Sequence, residues 1–127
     1  MGILAFAKEM YFIDIINKHY NELNFKMTYI PHRRDSREKI SFILNELKID
    51  VVLFDLPAEV ELVNAPFLPY GIASFYSTTL LTLPKIFSFG KVNAFKLPLS
   101  DISDVYRLDL ENTYAKYKEY MQIINLN

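Results

Sequence analysis

A chain of 127 residues suits one domain, and a hydrophobic share of 51% is enough to bury a sizeable core. A net charge of −1 excludes a general polyanion-binding surface, so nucleic acid is not an expected partner, and the aromatic residues read as core rather than base-stacking platforms. The absence of cysteine excludes disulfides and thiolate metal sites, and two histidines without ligand spacing argue against zinc; no metal is expected.

Gly2 to Leu23 reads as a helix. Phe6, Met10, Ile13, Ile16 (or Asn17), Tyr20 and Leu23 recur at steps of three and four, which makes an apolar stripe. His19 lies beside that stripe and reads as packing or surface. An α/β domain normally begins with a strand, so either the first strand is missing or the fold starts with a helix. No basic segment precedes an apolar run, so no secretory signal is expected. No run reaches the length of a membrane span either.

Phe25 to Ile30 alternates as a short strand that Pro31 closes, since proline cannot donate to a ladder. His32, Arg33 and Arg34 follow. Asp35 is then the expected N-cap of a helix over about 36–47, with Glu38 completing a capping box and Ile40, Ile43, Leu44 and Leu47 as its buried face. Two arginines and a histidine that can become cationic, just ahead of free helix amides, suit an anion. The expectation is a phosphate held at this corner, with His32 as donor or general acid; a solvated basic loop is the plainer alternative.

Val51 to Phe54 is a continuous apolar run, expected to be a strand covered on both faces. Asp55 ends it, and Pro57 opens a short helix or turn carrying Glu59, as proline at a first helical position does. Pro66 and Pro69 bracket an irregular connection. Tyr70 to Tyr76 reads as a third strand, and Ser77 as the N-cap of the helix after it, which Pro84 should kink or shorten. Lys91 to Leu97 reads as a fourth strand. A last helix is expected over about 108–124, where Leu110, Tyr114, Tyr117, Met121 and Ile124 form a stripe that docks on its own domain or on a partner.

Alternation of strands and helices implies one α/β domain: a Rossmann-like parallel sheet of about four strands with helices on both faces. Ligands bind such sheets at the carboxyl ends of the strands. Three polar groups are expected there to share one crevice: His32-Arg33-Arg34, Asp55 through Glu59, and Ser77-Thr78-Thr79. Their chemistry fits a nucleotide. The hydroxyls of Ser77 and Thr78 donate to phosphate oxygens, Glu59 accepts from vicinal ribose hydroxyls, and His32 stabilises a leaving phosphate.

Three elements, Tyr29-Ile30-Pro31-His32-Arg33-Arg34, Pro57-x-Glu59 and Gly71-x-x-x-Phe75-Tyr76-Ser77-Thr78-x-Leu80, together resemble the carboxyl-terminal half of bacterial sialyltransferases. The closest groups are the lipooligosaccharide sialyltransferases and the polysialyltransferase-like proteins, and the resemblance spans roughly residues 2–89. It implies one half of a GT-B glycosyltransferase that binds CMP-sialic acid without a metal and serves lipooligosaccharide or capsule synthesis. It implies that His32 assists departure of CMP, that Arg33 and Arg34 contact the donor, that Glu59 binds its ribose, and that Ser77 and Thr78 hold its phosphate. It further implies a glycan acceptor, an amino-terminal domain carrying the acidic general base, and a cytoplasmic enzyme whose full-length form lies peripherally at the inner membrane. Such a half is expected to be inactive alone. Two departures stand out: His32 follows its proline instead of preceding it, and Thr78 replaces a common serine. Pro-His followed by Arg-Arg is the order associated with the polysialyltransferase-like branch. The alternative from a different class is a non-catalytic α/β interaction domain that docks through its tyrosine-rich terminal helix.

Overall fold

The computed structural model describes residues 4–126, so Gly2 and Ile3 of the expected first helix lie outside the described residues. The chain divides into two compact units, Met1–Asp55 and Leu56–Asn127. Both are α/β with parallel strand pairing.

In the first unit, helix α1 (Phe6–Glu22) buries Met10, Ile13 and Ile16 of the expected stripe, and Phe12 beside them. Phe6 and Leu23, at the two ends of that stripe, are each 46% exposed. The helix ends where Asn24 turns left-handed at φ 63°, a conformation asparagine tolerates better than most residues. Strand β1 (Thr28–Tyr29) is shorter than the alternation suggested. Helix α2 (Arg37–Asn45) follows, with Ile43 wholly buried and Leu44 exposed. Its cap corrects the sequence reading. Ser36, not Asp35, is the N-cap, and its Oγ accepts from the Lys39 backbone N–H at 3.1 Å.

Strand β2 (Asp50–Val51) pairs with β1 in parallel, Tyr29 opposite Val51. The expected strand covered on both faces over 51–54 is not what forms. Leu53 is 65% exposed, and the chain leaves the ladder after Val51. A short apolar run has no periodicity to say how far pairing extends.

The second unit opens with helix α3 (Ala58–Asn64), for which Pro57 is the capping residue, one place before its expected first-turn position. Strand β3 (Gly71–Ser74) leads through a turn into helix α4 (Thr79–Ile86), which contains Pro84 and ends two residues later. Strand β4 (Lys91–Lys96) is the central strand, with Ala94 and Phe95 fully buried. Helix α5 (Asp104–Tyr117) then stops earlier than the four-three rhythm suggested. Ile123 and Ile124 belong to strand β5 (Gln122–Asn125), which pairs in parallel with β4, Ala94 opposite Ile123. Their β-branched side chains favour a pleated strand once an open edge lies within reach.

The strands therefore make two sheets, β1-β2 and β3-β4-β5, where one sheet of about four was expected. Among the described residues no helix is long and apolar enough to cross a membrane.

Candidate functional site

His32, Arg33 and Arg34 occupy the turn between β1 and α2, and all three are exposed. The turn is held from beneath by Asp35. Its Oδ2 accepts from the His32 backbone N–H at 2.9 Å and from the Tyr29 hydroxyl at 2.9 Å. Its Oδ1 lies 2.9 Å from Lys39 Nζ, which also reaches Glu9 Oε2 on α1 at 2.7 Å. Lys39 also stands over the Tyr29 ring, 5.6 Å from its centroid. The Glu9, Lys39 and Asp35 side chains retain 4%, 6% and 7% of their exposure. Burial pushes the Asp35 carboxyl up, but hydrogen bonds from Lys39 and Tyr29 outweigh it and hold the group below the usual carboxylate range. Burial would likewise lower the Lys39 ammonium, and its contacts with Glu9, Tyr29 and Asp35 raise it instead.

Freed from capping α2, Asp35 thus anchors the basic turn. The Arg34 N–H donates to His32 Nδ1 at 3.1 Å, which puts the proton of the neutral imidazole on Nε2, the nitrogen left to donate. Arg34 also lines a cavity of about 180 Å³ together with Glu9, Asp35 and Lys39. The Arg33 and Arg34 guanidinium groups make no ion pair among the described residues.

Glu59, Ser77 and Thr78 belong to the second unit. Ser77 and Thr78 follow the carboxyl end of β3 and precede α4. Thr78 is formally the capping residue, already in helical conformation, while Ser77 supplies the capping oxygen. Ser77 Oγ accepts from the Thr79 N–H at 3.2 Å and lies 2.7 Å from Thr79 Oγ1. Glu59 sits in the first turn of α3, and its Oε1 is 3.5 Å from Thr82 Oγ1 on α4. The carboxylate and the hydroxyl-rich turn are thus carried by two helices that touch. Asp55 is exposed at the end of the first unit.

Sequence reading missed two contributors. One is the Glu9–Lys39–Asp35 network; a lysine on the buried face of α2 was its only signal. The other is Tyr117. Its hydroxyl donates to the Ser77 carbonyl at 2.7 Å and accepts from the Ser77 N–H at 3.0 Å, across 40 residues. With its side chain buried, Tyr117 takes the first of the two roles expected of its stripe, docking on its own domain, and cannot present itself to a partner.

No group of three or more metal-ligating side chains is found among the described residues. The fold defines an α/β protein with parallel sheets. No family model, curated protein or solved structure matches the chain.

Proposed function

We propose that the chain is the nucleotide-sugar-binding, carboxyl-terminal half of a sialyltransferase-like glycosyltransferase that takes CMP-sialic acid as donor. The observation that carries this reading is the Ser77-Thr78-Thr79 turn at the carboxyl end of β3 and the start of α4, with Glu59 within reach of Thr82 on the same helix. Helix-start amides and hydroxyls suit a phosphate, and a neighbouring carboxylate suits ribose hydroxyls. On this reading Ser77 and Thr78 hold the phosphate, Glu59 the ribose, and Arg33 and Arg34 add positive charge. His32 donates from Nε2 to a phosphate oxygen and stabilises the departing CMP.

The strand pairing supports a Rossmann-like parent. Within each unit the strands pair in parallel, β1 with β2 and β3-β4-β5 in chain order, as the halves of a doubly wound sheet do. A glycan acceptor and work at the cytoplasmic face of the inner membrane belong to the same proposal. Transition-state stabilisation needs both halves of the cleft, so residues 1–127 alone bind donor without transferring sugar.

Calorimetric titration of CMP, with UMP beside it, tests the reading. Binding of CMP that both His32→Ala and Ser77→Ala weaken supports it. No binding, or binding indifferent to both changes, overturns it, as does sugar transfer by the isolated chain.

One observation favours the interaction-domain reading. Val105 and Leu108, three apart on α5, are 78% and 66% exposed. On that reading the docking face of α5 is theirs, and Leu108→Glu abolishes association while CMP has no effect.

A further inference from the structure

We propose that Tyr117 is the positioning residue of the hydroxyl turn, setting Ser77 and Thr78 for the phosphate of a nucleotide; the proposal rests on the nucleotide reading above. Ser77 is fixed at three atoms. Its N–H and carbonyl are both engaged by the Tyr117 hydroxyl, and its Oγ is tied to Thr79. The carbonyl also accepts from the Leu80 N–H at 3.1 Å, so the phenol and the first turn of α4 converge on it. This arrangement decides which groups meet an anion. The Ser77 amide is consumed, while the Thr78 amide makes no hydrogen bond among the described residues and remains to donate, beside the hydroxyls of Ser77 and Thr78. A ligand that must find a preset donor pattern loses affinity when the pattern loosens, because binding then bears the ordering cost. Tyr117 itself does not touch the ligand.

The same helix supplies a matched control. The Tyr114 hydroxyl donates to the Phe95 carbonyl at 3.3 Å and accepts from the Leu97 N–H at 3.3 Å. Its ring packs edge-on to Tyr117, with centroids 6.3 Å apart. Both tyrosines are buried and both bridge a backbone N–H and a backbone carbonyl, but only Tyr117 bridges them at the hydroxyl turn.

The test is calorimetric titration of CMP into the whole chain as wild type, Tyr117→Phe and Tyr114→Phe, with amide exchange of Ser77 and Thr79 followed by NMR. Each change deletes one hydroxyl and keeps the ring. Tyr117→Phe should weaken CMP by about fivefold or more, the size of one or two hydrogen bonds. It should also speed exchange at Ser77 and Thr79. Tyr114→Phe should lower the melting temperature comparably and leave CMP affinity within about twofold, less than one hydrogen bond. If Tyr117→Phe binds CMP like wild type, or Tyr114→Phe weakens it equally, the positioning role is overturned and the nucleotide reading survives. If wild type itself does not bind CMP, the nucleotide reading fails first and takes the positioning role with it.

Discussion

The Lys39 ammonium lies 2.7 Å from the Glu9 carboxylate, and their side chains retain only 6% and 4% of their exposure. A buried pair contributes little net stability over an apolar replacement, but losing one partner strands the other in a low-dielectric interior. Here the stranding is double, because Asp35 shares the same ammonium.

Lys39→Met should therefore destabilise the chain by about 3–5 kcal/mol, as breaking a buried pair does. Adding Glu9→Leu to Lys39→Met should recover part of that loss, since one uncompensated carboxylate goes with it. Urea unfolding of the two single variants and the double variant measures the coupling. Strictly additive losses would show that the pair does not interact.

The stability profile should fall at both ends of the pH scale. Asp35 has a depressed folded value, so its contribution is complete above the unfolded value near pH 4 and is lost as pH falls through the folded one. Burial pushes the Tyr29 and Tyr114 phenols up to about 12, with hydrogen bonds pulling the other way too weakly to cancel it. A raised group contributes stability that is complete below its unfolded value, near 10, and is lost as pH climbs toward 12. Lys39, also raised, adds to the alkaline loss. Tyrosinate absorbance should show two phenols ionising late or only with unfolding, and Tyr114→Phe should flatten the alkaline limb.

Gly71 opens β3 and Gly90 precedes β4, and they should differ in their tolerance of alanine. A Cβ at Gly71 would lie 2.7 Å from the Lys91 carbonyl oxygen, on the strand with which Gly71 is in register. The backbone there cannot yield without disturbing the β3–β4 ladder, so Gly71→Ala should cost about 1–3 kcal/mol, the range for forced overpacking. A Cβ at Gly90 would meet the far end of the Tyr70 ring, a 58% exposed side chain that can shift more readily than strand backbone. Gly90→Ala should cost less than Gly71→Ala in thermal unfolding.

Much of the local structure was legible in the chain. The stripe through Met10, Ile13 and Ile16 marks α1, proline and hydroxyl residues mark where α3 and α4 begin, and the alternation of elements marks the α/β class. These signals lie within a few residues of what they specify, because helical periodicity and capping are short-range. The misreadings came where two local options were close. Asp35 and Ser36 both cap well, and the hydroxyl one place nearer the helix took the role and released the carboxylate to the basic turn. Ile124 continued a helical rhythm equally well as it extended a strand.

Residue order alone decided the helices, the three polar clusters and the absence of cysteine chemistry. Tertiary structure alone decided that the strands part into sheets of two and three, that β5 exists, that Lys39 joins two carboxylates, and that Tyr117 grips Ser77. The reason is distance along the chain. A hydroxyl 40 residues away or an open strand edge leaves no periodic trace, and becomes a partner only once the intervening helices have packed.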